Sequence, residues 1–342
     1  MEQVIHHFVA DLHWTLLTLV IAASLGILGK AADWLVDEAV ALSERSGIPK
    51  AVVGATIVSL GTTTPEAAVS VLAAVEGSPG LALGNAVGSI ICDTGLILGV
   101  ACLIAPLRLD RNIVNRQGWI QIGAAVALVA ACFPWTNPSA VFSQGGVLPQ
   151  FVGFIFLAVL AIYMWQSIRW ARAENGGPSL EEHEGDGDAS MFLVVAKLLG
   201  SVAVVVVAAQ VLIPAVGEAA MRMEVPESII AATLVAFGTS LPELVTAVTA
   251  ARRGHGELAV GNIVGADILN VLFVAGAAAA VTPEGLVAGG HFFMVLFPVM
   301  LFILITFRIG IFMSGDWMRR PFGFTLLAAY GIYMVVSYLV PS

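Results

Sequence analysis

Ten stretches of almost unbroken apolar residues follow one another along the chain, near 15–37, 51–75, 81–106, 118–136, 148–168, 191–215, 227–251, 257–281, 289–308 and 322–340. A hydrocarbon layer about 30 Å thick is crossed by roughly 20 residues of helix, so each stretch is long enough to span it. Only one polar interval is long. It runs from 171 to 190 and holds Asn175, Gly176, Gly177 and Pro178 before the acidic run EEHEGDGD, the composition of a flexible solvated connector. The pattern predicts an all-α polytopic membrane protein of about ten transmembrane helices, divided by the acidic linker at 171–190 into residues 1–170 and 191–342 with five spans each. The opening MEQVIHHFVADLHW has no basic leader or clear cleavage site, so the first span is expected to stay.

Composition agrees with this picture and narrows it. The 342 residues are 58% hydrophobic and 11% charged, with a mean hydropathy of +0.93, which leaves no room for a sizeable soluble domain. A net charge of −9 without clustered cations excludes a nucleic-acid partner. The three cysteines, Cys92, Cys102 and Cys132, lie in apolar stretches without metal-ligand spacing and read as reduced core residues.

Cations mark the sides of the membrane. Twelve of the 15 Lys and Arg fall beside connections 1–2, 3–4, 5–6, 7–8 and 9–10, among them Arg108, Arg111, Arg116, Arg252, Arg253 and Arg308. Short cytoplasmic connections retain positive charge, which predicts an integral membrane protein with both termini outside and the central linker in the cytoplasm. All seven Trp stand at or just beyond predicted span ends, as an interfacial belt requires.

A shift of 177 residues superimposes 49–91 on 226–268 without a gap, with 19 identities in 43 positions. GTTTPE (61–66) matches GTSLPE (238–243), and GNAVGS (84–89) matches GNIVGA (261–266). With five spans per half, the second copy must enter the bilayer upside down. The charges agree: Val75, Glu76, Gly77 and Ser78 follow the first motif, whereas Arg252, Arg253, Gly254 and His255 follow the second. The fold expected is therefore two inverted five-helix repeats, a design that places a substrate site where the halves meet.

Each copy sets a carboxylate, Glu66 or Glu243, in the middle of a hydrophobic span, where a bare charge is costly and must face a cavity, a cation or a proton. Pro65 and Pro242 remove backbone donors, Gly61 and Gly238 loosen the turn, and Thr62, Thr63, Thr239 and Ser240 add hydroxyls. Hard oxygens beside carboxylates suit Ca²⁺ and Na⁺. Twenty-seven residues after each Glu stand Asp93 and Asn270, at matching depth on the next span. Asp267, one turn before Asn270, has Ile90 as its repeat partner and lines the edge of the site or bonds elsewhere. Asn85 and Asn262 read as structural residues at the bend. Asp37, Glu38, Glu218, Glu224 and Glu227 read as solvated or snorkelling.

These motifs resemble the α1 and α2 repeats of the sodium/calcium exchanger family of calcium/cation antiporters, over residues 49–99 and 226–276. The resemblance implies a ten-helix exchanger whose ion positions lie between spans 2, 3, 7 and 8. On it, Glu66 and Glu243 with Thr62 and Thr239 would coordinate Ca²⁺. Thr63, Ser240, Ser89 and the carbonyls of Ser59 and Ala236 would form Na⁺ positions, while Asp93 and Asn270 complete the centre. Three departures stand out: Ala266 where Ser is usual, Thr64 where Leu is usual, and Ile90 and Asp267 where Asn is common. Gly88 and Gly265 close the G-N motifs, without the Glu of proton-coupled relatives.

The function expected is exchange of Na⁺ for Ca²⁺ by alternating access, with a Ca²⁺/H⁺ antiporter on the same scaffold as the alternative. Ca²⁺ and Na⁺ would be cargo rather than cofactors, and no enzymatic activity is expected. A hydrolase using Asp93 with Asp267 lacks a G-x-G-D arrangement and leaves the symmetric Glu pair unexplained.

Overall fold

The computed structural model describes residues 12–174, 191–223 and 238–339. Glu224, Glu227, Ala236 and linker residues 175–190 lie outside them, while 171–174, expected in the linker, form the last turn of the helix before it. The first half comprises α1 (Trp14–Ser46), a bent pair α2 (Lys50–Thr62) and α3 (Thr64–Val75), α4 (Pro79–Ile104), α5 (Arg111–Cys132) and α6 (Gln150–Glu174). The second comprises α7 (Met191–Arg222), α8 (Leu241–Arg252), α9 (Gly256–Ala280), α10 (Phe292–Met313) and α11 (Arg320–Leu339). Six of these, or seven with the bent pair as one span, are long and apolar enough to cross a membrane. That agrees with the predicted polytopic fold; α5 and α11 are not in this set, and much of the segment leading into α8 is outside the described residues.

The helices outrun the hydropathy pattern at their polar ends. α1 continues from 37 to Ser46, and α5 begins at Arg111, where Asp110 accepts a hydrogen bond from the Ile113 amide at 3.3 Å. Hydropathy marks the hydrocarbon boundary, not the last hydrogen-bonded turn. For the same reason Arg116 and Arg308, expected beside connections, belong to α5 and α10. Their guanidinium groups lie over Trp170 at 4.6 Å, and over Trp119 and Phe312 at 4.7 and 4.5 Å respectively, which lets a cation remain inside the helix end. The polar residues expected to be solvated are partly paired: Arg253 with Asp37, Lys197 with Glu38 at 3.8 Å, and Arg222 with Glu218 at 2.6 Å. Its bond to Asp37 raises the Arg253 pKa, and the contact ties α1 to the α8–α9 turn.

The inverted repeat is visible in four short strands. β1 (Leu107–Arg108) and β3 (Leu286–Ala288) each follow the third span of a half, while β2 (Gly146–Leu148) and β4 (Trp317–Met318) each precede the fifth. β1 pairs antiparallel with β4, and β2 with β3. Exchanging the halves therefore turns one pair into the other. Helix packing follows the same rule: α11 lies on the C-terminal part of α4, α6 on the C-terminal part of α9, and α1 runs along α7. Gly77 (φ 85°) and Gly254 (φ 79°) close the turns after α3 and α8 in the left-handed region, and Ser78 and His255 donate back to Ala73 and Ala250, both at 2.8 Å.

The core is the crossing of α2 with α9, the most enclosed span. A Cβ on Gly54 would lie 2.6 Å from the Leu258 carbonyl, and one on Gly265 would lie 2.5 Å from the Ala55 Cα, so glycine is what allows the backbones to touch. Gly265→Val should cost about 1–3 kcal/mol or prevent folding. The check is the unfolding temperature of the purified protein in detergent; Gly29→Val, where a Cβ meets nothing within 4 Å, should leave it nearly unchanged.

Candidate cation site

The helix break at Thr63 and the turn at Thr239–Ser240 stand at equivalent places in the repeats. α2 and α3 meet at 42° across Thr63, and Pro65 and Pro242 occupy the first turns of α3 and α8. Gly61 and Gly238 have a second role besides loosening the turn. A Cβ there would meet Val202 at 2.6 Å and Ile213 at 3.3 Å, both on α7, so one helix rests against both breaks. On the neighbouring spans, π-helical turns at Cys92–Ile97 and Asn270–Ala275 interrupt the regular ladder, each containing or starting at a site residue.

These interruptions bring the predicted side chains together. Asn270 Nδ2 donates to Asp93 Oδ2 at 3.4 Å, across the 177-residue repeat distance. Thr63 Oγ1 donates to Glu243 Oε1 at 3.4 Å, and the Thr62 hydroxyl lies beside the same carboxylate. Glu66 is within electrostatic range of Glu243 and Asp93, and the Ser240 hydroxyl faces Asp93. Glu66, Glu243, Asp93 and Asn270 are each 1% exposed, and Thr62, Thr63, Ser59 and Ser240 are equally enclosed. Glu66 Oε2, Glu243 Oε2, Asp93 Oδ1 and Asn270 Oδ1 have no hydrogen-bond partner. Four buried oxygens without donors, three of them on carboxylates, are acceptors arranged for something positive.

Other predicted residues are placed less centrally. The Ser59 carbonyl accepts from the Thr63 amide at 2.8 Å and from the Thr62 hydroxyl at 3.3 Å. Ser89 is buried on α4, and Thr239, half-buried, donates to Asn85 Oδ1 at 3.5 Å. Asn85 has the structural role expected: its amide donates to the Glu66 carbonyl at 3.4 Å and to Ser70 Oγ at 3.0 Å, bracing the first break against the second half. Asn262, its repeat partner, has neither side-chain atom bonded. Asp267 bonds to Thr94 and Gln121. One turn away on α5, Gln117 bonds to Ser167 and Tyr163, whose hydroxyl lies 3.3 Å from the Ala55 carbonyl, a second buried polar group. Sequence reasoning passed over both groups, although Gln117 and Gln121, four apart on one helix, were a readable sign of them.

Paired carboxylates at repeat-related turns between inverted halves define a membrane carrier for small cations. The sequence profile described as "Sodium/calcium exchanger protein" matches residues 16–169 and 193–339. The sodium/calcium exchanger MaX1 of Methanosarcina acetivorans is 29% identical over 352 aligned residues, covering 94% of this chain and 98% of that one. The inner membrane protein YrbG of Escherichia coli is 30% identical over 300, covering 84% and 90%. Among solved structures, the sodium-calcium exchanger NCX_Mj soaked with 10 mM Na⁺ and zero Ca²⁺ superposes with a TM-score of 0.77 at 25% identity, covering 94% of this chain and 99% of that one. The chain belongs to the sodium/calcium exchanger family.

The two asparagines give a test of the bracing. Asn85→Ala leaves partners on both halves unpaired and should destabilise the protein by roughly 1–3 kcal/mol. Asn262→Ala removes no hydrogen bond and should cost less, as compared by thermal melts in detergent.

Proposed function

We propose that the chain is a secondary antiporter exchanging Na⁺ for Ca²⁺ by alternating access, with Ca²⁺ held between Glu66 and Glu243. The observation that carries this reading is the pair of repeat-related glutamates, each with a buried carboxylate oxygen lacking any partner, set beside the break at Thr63 and the turn at Thr239–Ser240. Ca²⁺ takes carboxylate and hydroxyl oxygens, and Thr62, Thr63 and Ser240 supply hydroxyls there. Na⁺ competes for the same oxygens with half the charge, so several are needed to replace one Ca²⁺. An empty site is doubly charged and does not cross; either cargo neutralises it. Because α7 rests against both breaks, a shift of the α1–α7 pair acts on both halves of the site at once. The ions are cargo, not cofactors. On this reading the termini face outward, the linker is cytoplasmic, and the membrane is a prokaryotic plasma membrane.

Proton coupling on the same scaffold is the second reading, favoured by Ala266, which removes a hydroxyl, and by the additional buried acid Asp267. Proteoliposomes loaded with Na⁺ and diluted into Na⁺-free buffer should accumulate Ca²⁺, and Glu243→Gln should reduce the initial rate at least a hundredfold while remaining folded. Uptake driven only by an imposed pH gradient would select the proton-coupled reading. Normal uptake by Glu243→Gln would remove the glutamates from the mechanism.

A further inference from the structure

Asp267 stands outside the twofold arrangement. Its counterpart in the first half is Ile90, whereas Glu66 matches Glu243 and Asp93 matches Asn270. Its Oδ2 accepts hydrogen bonds from the Thr94 hydroxyl and, at 2.5 Å, from the Gln121 amide. Its Oδ1 is just as buried and has no partner. Two donors fix one oxygen, and the other is left bare.

The surroundings provide no balancing charge. Asp267 on α9 is within electrostatic range of Asp93 on α4, Asp93 of Glu243 on α8, and Glu243 of Glu66 on α3. Glu66 is also in range of Asp93, so these three acids form one cluster, and Asp267 joins it through Asp93. α5 contributes the neutral Gln121, and among the described residues no Lys, Arg or His is paired with any of the four. In the absence of Ca²⁺ none of the four is compensated, and so much buried negative charge is too costly to persist at this depth unless cations or protons join it.

We propose that Asp267 binds one monovalent cation, Na⁺ or H⁺, through Oδ1, as a position additional to the duplicated site, and that Ca²⁺ binding displaces it. The cluster of acids gives the means: Ca²⁺ between the glutamates weakens the negative potential at Asp93, and through it at Asp267. This inference rests on the reading of Glu66 and Glu243 as the Ca²⁺ site.

The test counts ions by linkage in the purified full-length protein. The slope of the logarithm of the apparent Ca²⁺ dissociation constant against log[Na⁺] at fixed pH, and against pH at fixed Na⁺, gives the monovalent cations displaced per Ca²⁺. Asp267→Asn keeps an acceptor for Thr94 and Gln121 and removes the charge. It should lower one of the two slopes by about one, and the slope that falls identifies the cation as Na⁺ or H⁺. Both slopes unchanged would overturn the proposal. Should that variant not fold, Asp267→Glu keeps the charge and moves it by one methylene; it should keep both slopes but move the midpoint of the affected one at least threefold, and an unmoved midpoint would overturn the assignment. Ca²⁺ binding that survives Glu243→Gln would instead defeat the central-site reading, so the two failures are distinguishable.

Discussion

Negative charge buried where neither water nor a basic side chain can balance it is the constraint on which this structure depends. In the middle of a membrane helix a carboxylate is tolerated only if something positive visits it or stays. Glu66, Glu243 and Asp93 meet one another rather than an arginine, and each has an oxygen with no donor. The 15 Lys and Arg stand away from this centre, and Arg116 and Arg308 lie over aromatic rings toward the ends of their helices. The separation leaves the centre hungry for cations and the rims in contact with polar surroundings.

Much of the architecture serves to make that centre possible. Breaking a membrane helix exposes backbone groups that lipid cannot satisfy, so each break must be enclosed by protein. The glycines of α2 and α9 let these helices touch through their backbones, and Gly61 and Gly238 seat the two breaks on α7. The π-helical turns of α4 and α9 reset the register so that Asp93 and Asn270 face each other. Strand pairs β1–β4 and β2–β3 then join connections from opposite halves. Each device occurs twice, because the chain solves one packing problem and repeats it upside down.

The fold was largely legible in the sequence because its causes are periodic: apolar stretches set the spans, and a gapless internal match exposed the repeat. The meeting of Asp93 with Asn270 and of Thr63 with Glu243 was legible for the same reason, as equal spacing in inverted copies implies equal depth. What breaks the repeat was harder to read. Asp267 has no partner copy, and its bonds to Thr94 and Gln121 reach across three helices that no spacing rule connects. Helix ends were misjudged where polar turns extend past the hydrocarbon, as in α1 and α5. The second function of Gly61 and Gly238, contact with α7, depends on tertiary packing that a local motif does not encode.

The central claim is that the two glutamates make one shared site rather than two separate ones. Counting bound Ca²⁺ by equilibrium titration of the purified protein, alone and with Glu66→Gln or Glu243→Gln, tests it most directly. One ion per chain in the unmodified protein and none in either variant is the result predicted. Two ions per chain, or one retained by each single variant, would contradict it.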